Sequence, residues 1–191
     1  MRLTKQDWLE EARRRLGTEG IAGINIEKMA RSLKVSKGSF YWHFKDRKAL
    51  LWSLLDYWEE NTKALIVQAE QETAPGDKLA RLFAEIGAMG ITGETGLYSW
   101  AAQEPEVQAR VEKVEKQRVG YLEQLFVESG FSLEEAAQRA KLTYLAFVGY
   151  LYRVDTDMTL DLEELGQSLL SLLIKPATSS LNAQEKKENK A

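Results

Sequence analysis

The chain of 191 residues suits one core domain with a small appended one. It holds no cysteine, which excludes disulfides, thiolate nucleophiles and cysteine-bound zinc. Formal net charge is −3, unevenly spread: residues 1–50 carry 12 Lys/Arg against 6 Asp/Glu, a net of +6, and residues 51–191 carry a net of −9. Charge alone leaves a polyanion partner and an ordinary solvated basic face equally open. No run approaches the roughly 18 apolar residues of a membrane span. Asp7, Glu10 and Glu11 interrupt the N-terminus where a signal peptide would be apolar. A cytoplasmic protein without a membrane partner is expected.

The chain reads as helix almost throughout, with no alternating β-branched runs. Trp8, Leu9, Ala12 and Leu16 form a helical stripe, with Thr4 and Asp7 in capping positions and Gly17 and Gly20 closing the helix. A second short helix starts after Asn25, turning Ile26, Met29, Ala30 and Leu33 inward. A third starts after Ser36, as its cap, and runs to about Phe44. Asp46 caps a long fourth helix that ends before Pro75-Gly76 and spans nearly 40 Å at 1.5 Å per residue. Further helices are expected over about 77–89, through Trp100 after a loop with Gly90, Gly93 and Gly96, from Pro105 to about Glu128, from the Ser132/Glu135 capping box to about Arg153, and over 162–174. The fold class is therefore all-α, with about nine helices.

Residues 26–44 carry the strongest signal. A helix-turn-helix needs two short helices at a steep angle, a tight turn, and a second helix presented to the major groove. Ala30 permits close approach, Val35 fastens the turn, and Phe40 and Phe44 face inward together. The other positions are then exposed or at the rim. Lys37, Lys45, Arg47 and Lys48 offer charge to phosphates. Ser39, Tyr41 and His43 offer hydrogen bonds, and Gly38 leaves room for close approach to a base. Phosphate contacts position a protein and base contacts specify its sequence.

Residues 20–51, GIAGINIEKMARSLKVSKGSFYWHFKDRKALL, resemble the DNA-binding signature of the TetR family. Trp8, Ala12 and Leu16 fit its first helix. The resemblance implies that Asn25, Ser36, Lys37, Ser39, Tyr41, Trp42, His43 and Arg47 or Lys48 face double-stranded DNA. Two positions depart from the pattern. Lys34 stands where the family often has Gly, at a cost of about 1 kcal/mol if the backbone is left-handed there. A phosphate contact by Lys34 would offset that cost. Arg47 stands where the family usually has Lys.

Other chemistry finds little support. His43 is the only histidine, and no cysteine stands by it to make a metal site. The segment GITGETG lacks the ending of a phosphate loop. Asp155, Asp157 and Asp161 lack the Gly and closing Glu of a calcium loop. No nucleophile–base set or paired carboxylates stand out, so neither an enzyme nor a cofactor is expected.

Residues 142–152, LTYLAFVGYLY, are apolar nearly all round a helix and must be covered on both sides. Together with the final helix they suit a four-helix homodimer interface built on Leu145, Val148, Tyr152, Leu162, Leu165, Leu169 and Leu173. TetR-like proteins dimerise in this way. The resemblance also implies an effector cavity in the middle helices. Its candidate lining is Trp58, Phe83, Met89, Tyr98, Trp100, Tyr121, Tyr144 and Phe147, a set that favours a lipophilic small molecule over a polar metabolite. Ordinary core packing is the competing reading for each.

The expected organisation is a DNA-binding domain over 1–46, an effector and dimerisation domain over 47–175, and a disordered polar tail over 176–191. The expected function is a repressor released from a pseudo-palindromic operator by its effector. Two alternatives stay open: a ligand-independent regulator of the same fold, and a helical enzyme or scaffold that carries a helix-turn-helix.

Overall fold

The computed structural model describes residues 3–153 and 161–173. Among these the chain forms nine α-helices and a short 3-10 turn, with no strand. Helix α1 (Lys5–Glu19) opens on a complete capping box, in which the Thr4 hydroxyl accepts from the Asp7 amide and the Asp7 carboxylate accepts from the Thr4 amide. It ends at Gly20, whose φ of 66° few side chains tolerate. The 3-10 turn Ile21–Gly23 leads to α2 (Ile26–Ser32), capped by Asn25. Lys34, at φ 56°, makes the turn in the left-handed region, and Val35 donates its amide to Ala30 O at 2.9 Å.

Helix α3 (Lys37–Tyr41) has Ser36 at its cap position, but the Ser36 side chain makes no capping hydrogen bond. The cap read from the sequence is therefore positional only. Helix α4 (Arg47–Ala69) is capped by Asp46, which accepts from the Ala49 amide at 2.7 Å. Its 23 residues span about 34 Å, less than expected, because the helix stops at Ala69 and residues 70–74 turn the chain. Helix α5 (Pro75–Met89) begins on the proline itself, whose missing N–H is no loss at a helix start. Helices α6 (Glu94–Ala101), α7 (Pro105–Glu128), α8 (Leu133–Leu151) and α9 (Leu162–Leu173) complete the chain. The Ser132/Glu135 capping box of α8 is formed as expected. Residues 154–160 and 174–191, including the expected tail, lie outside the described residues.

Two apolar cores result. The first joins α1, α2, α3 and the first half of α4 to α6 and the start of α7, around the fully buried Trp8, Met29, Phe40, Leu50 and Leu55. It runs across residue 46 rather than stopping there. The second lies among α5, α7 and α8, around Leu79, Leu125 and Phe126. Tyr98 on α6 packs against both. Leu162, expected at a dimer interface, is buried in the second core of its own chain and is not available to a partner.

Candidate nucleic-acid interface and central cavity

The outer face of α3 is set by what its inner face buries. Phe40 and Phe44 are sealed in the first core, with Phe40 edge-on to Trp8 at 5.3 Å. On a helix of five residues their neighbours must then point outward. Tyr41 is 58% exposed and Trp42 81%, unusual for side chains of that size. Ser36 and Gly38 are exposed, and Ser39 and His43 half-buried, around a shallow concavity that Trp42 and Val35 also line. A Cβ added to Gly38 would meet only Ser36 Oγ, at 3.5 Å, so the helix surface is open at that point.

The charged residues fall into two groups. Lys34, Lys45 and Lys48 are exposed and make no ion pair among the described residues. Lys37 pairs with Glu27 across the turn. Asn25 turns its Oδ1 to the amides of Glu27 and Lys28, at 3.0 and 3.1 Å, so its first task is capping α2. Arg47 is engaged within its own fold. Its Nε and Nη2 donate to the carbonyl oxygens of Ile24 and Ile21, both at 2.6 Å, tying the start of α4 to the 3-10 turn. Of the pair Arg47 and Lys48, only Lys48 remains a free outward cation. On α1, Arg13 pairs with Glu10, Arg14 with Glu11, and Arg15 with both Glu11 and Glu19. The three arginines of α1 are thus matched on their own helix, and the +6 of residues 1–50 rests on the other basic residues.

The second feature is a cavity of about 80 Å³ between α4, α5, α7 and α8. Five of the eight expected lining residues meet there: Phe83, Met89, Tyr121, Tyr144 and Phe147. Trp58 lines an adjoining space instead. Tyr98 reaches the wall only through its hydroxyl, 2.9 Å from that of Tyr144. Trp100 does not belong: it is buried in the first core, on the side of α6 turned away from the cavity.

Sequence reasoning missed the polar part of the wall. The Arg118 guanidinium faces Glu94 at 3.1 and 3.3 Å and donates to Thr62 Oγ1 at 3.0 Å. It also lies over the Trp58 ring at 4.9 Å, while Trp58 Nε1 donates to Glu94 at 2.8 Å. These residues lie far apart in the chain, and no spacing pattern announces them. Burial opposes the charge of Arg118, but Glu94 outweighs it and raises the guanidinium pKa further. Tyr144 donates to Glu115 at 3.2 Å and Tyr121 to Glu70 at 2.7 Å. Burial pushes Tyr144 up to about 12 and moves Tyr98 and Tyr121 well above the usual phenol range, so all three stay protonated.

Glu94 opens α6, and α6 lies on α1. Arg13 Nη1 donates to Thr92 O at 3.0 Å, and a Cβ on Gly93 would stand 3.0 Å from Arg13 O. The cavity wall is therefore one helix away from the helices that carry Tyr41 and Trp42.

Helix α8 exposes Leu145 (64%) and Tyr152 (60%), with Val148 half-buried beside them. Leu142 and Leu172 are also exposed, and the sequence reading did not single them out. Leu165 and Leu169 are half-buried against the second core of their own chain. The Leu173 side chain lies outside the described residues.

A buried three-helix scaffold that turns two aromatics and several lysines outward has the architecture of a helix-turn-helix. Residues 9–54 match the family described as bacterial regulatory proteins, tetR family. The chain is 32% identical over 79 residues to the HTH-type transcriptional regulator AcrR of Shigella flexneri, a match covering 41% of this chain and 36% of that one. It thus aligns with only about a third of that relative's length. In overall fold it is similar to a TetR transcriptional regulator from Legionella pneumophila, with a TM-score of 0.74, 16% identity, and 91% and 98% of the two chains covered. It is also similar to the transcriptional regulator FadR of Bacillus subtilis in complex with stearoyl-CoA, with a TM-score of 0.64, 18% identity, and 90% and 98% covered. The match to the tetR family is confined to residues 9–54, and the chain as a whole shares the fold of these solved regulators. No described helix is long and apolar enough to cross a membrane.

Proposed function

We propose that this chain is a dimeric transcriptional repressor that binds a pseudo-palindromic operator through α3 and is released by a small lipophilic effector. The observation that carries the DNA half is the exposure of Tyr41 and Trp42 between Lys34, Lys37, Lys45 and Lys48. Tyr41, Trp42, Ser39 and His43 contact the groove and its edges, and the lysines hold phosphates. Arg47 contributes by fixing the turn. Residues 1–46, with Lys48 at the start of α4, supply the contact surface, and 47–175 supply the effector and dimer functions. Such a protein works in the cytoplasm, where its operator is.

The effector half rests on the cavity, whose walls are mostly apolar. The chain's likeness in fold to a regulator crystallised with stearoyl-CoA supports a small-molecule use of the space. An occupant that moves Glu94 and α6 shifts α1 through the Arg13–Thr92 contact, which favours a state with the α3 helices wrongly spaced for DNA. The dimer rests on the exposed Leu142, Leu145, Tyr152 and Leu172, which a second copy would cover. Two α3 helices about one DNA turn, ~34 Å, apart would read two half-sites.

The test is a gel shift with DNA selected from random sequence, followed by a small-molecule screen for release. Salt-sensitive, sequence-specific binding by a dimer and its loss with a cavity ligand are expected. Absence of specific binding would sink the repressor reading, and binding that no compound releases would favour the ligand-independent form.

A further inference from the structure

The polar groups of the cavity wall say what kind of molecule it takes. Glu94 and Arg118 are the only charged residues lining it among the described residues, and they neutralise each other at 3.1 Å with both side chains largely buried. A charged occupant would therefore add an uncompensated buried charge, which is costly. An anion would also sit near Glu115 and Glu70, the acceptors behind Tyr144 and Tyr121. A cation would have to displace Arg118 from Glu94.

The hydrogens of the wall divide just as clearly. The tyrosine hydroxyls donate to carboxylates, and Thr143 donates to Arg139 O at 2.9 Å. Arg118 has five N–H hydrogens, of which three are engaged by Glu94 and Thr62. The hydrogen bonds of Arg118 and Thr62 among the described residues use neither the Arg118 Nε–H, nor its second Nη1–H, nor the Thr62 hydroxyl hydrogen. Arg118 and Thr62 stand 3.0 Å apart in a mostly apolar wall.

We infer that the cavity takes an uncharged lipophile with a carbonyl-type acceptor, an ester, thioester or ketone, whose oxygen accepts from Arg118 and Thr62. This rests on the effector reading above and narrows it. The chain or ring of the ligand lies along Ile66, Leu82, Phe83, Ile86 and Phe147. Donor hydrogens at one end and apolar walls elsewhere fix its orientation.

Three probes of equal chain length separate the possibilities by calorimetric titration of the full chain: methyl octanoate, octanoate and octyltrimethylammonium. Methyl octanoate is expected to bind at least about tenfold more tightly than either ion, the difference one charge-assisted hydrogen bond and an avoided buried charge would give. Arg118→Met is expected to weaken it about tenfold, but that change strands Glu94. Thr62→Val keeps the ion pair and is expected to weaken methyl octanoate severalfold without changing the binding of either ion. Octanoate or the ammonium binding as well as the ester overturns the inference while leaving a cavity effector in place. Binding by none of the three, or an ester affinity unmoved in Thr62→Val, also overturns it. The effector reading itself stands or falls on the wider screen for operator release.

Discussion

Gly96 lies so close on Leu16 that a Cβ at residue 96 would stand 2.0 Å from the Leu16 carbonyl oxygen. Two helices approach this tightly only where one carries no side chain, so α6 is seated directly on the backbone of α1. Gly96→Ala forces them apart. Overpacking of this kind costs about 1–3 kcal/mol, and at roughly 2–4 °C per kcal/mol for a chain of this size the melting temperature should fall by several degrees. Calorimetry checks it. An unchanged melting temperature would mean that α6 rides on α1 more loosely than the geometry says.

Tyr41→Ala removes an exposed aromatic from α3 without opening the core, since Phe40 and Phe44 carry the packing. Operator affinity is expected to fall at least about tenfold, equivalent to ~1.4 kcal/mol, with sedimentation and melting temperature unchanged. A loss of stability comparable to that of a core truncation would show that Tyr41 supports the fold instead.

Lys34 holds a left-handed backbone that favours glycine. Lys34→Gly should stabilise the chain by up to about 1 kcal/mol. If Lys34 also holds a phosphate, operator binding weakens and its salt dependence becomes shallower by about one ion. A stabilised variant with an unaltered salt slope would leave Lys34 with no part in DNA binding.

Leu145→Glu tests the dimer with little harm to the subunit, because Leu145 is 64% exposed in the single chain. Folded monomer and loss of operator binding are the expected results by ultracentrifugation and gel shift. Leu169, the substitution site the sequence would suggest, is a poorer choice because it packs partly against its own core.

Acid sensitivity should reflect the carboxylates paired on α1. Burial would raise the Glu11 pKa, but Arg14 and Arg15 overcome it and lower the value in the folded chain. A carboxyl whose folded pKa is depressed stabilises fully above its unfolded value, near 4.3, and loses that contribution as pH falls through the folded pKa. Melting temperature should thus be flat near neutrality and drop below about pH 4, and Glu11→Gln should reduce the drop. Equal acid sensitivity in the variant would remove Glu11 from the account.

Local chemistry made much of this legible in the chain. The Thr4/Asp7 and Ser132/Glu135 boxes, the Asp46 cap and the Pro105 start are short-range patterns, and each opens a helix as expected. The inward set of Trp8, Met29, Phe40 and Phe44 followed from helical spacing and is buried. What spacing could not show is which distant groups satisfy one another. Arg47 bonds carbonyls 23 and 26 residues away, and Arg118 pairs with Glu94 across 24. Such partners come together only through tertiary packing. Trp100 and Leu162 misled for the same reason: both looked apolar enough for any buried surface, and packing alone decided which.

The matching of Arg13, Arg14 and Arg15 within α1 has a consequence for how the protein meets DNA. With those charges neutralised locally, positive potential concentrates at the α3 edge, around Lys34, Lys45 and Lys48, while residues 51–191 carry a net of −9. The molecule is then an electric dipole, and the field of a duplex turns its lysine edge inward before any contact forms. Encounters in the wrong orientation are repelled by the acidic body, so collisions with DNA begin largely face-on.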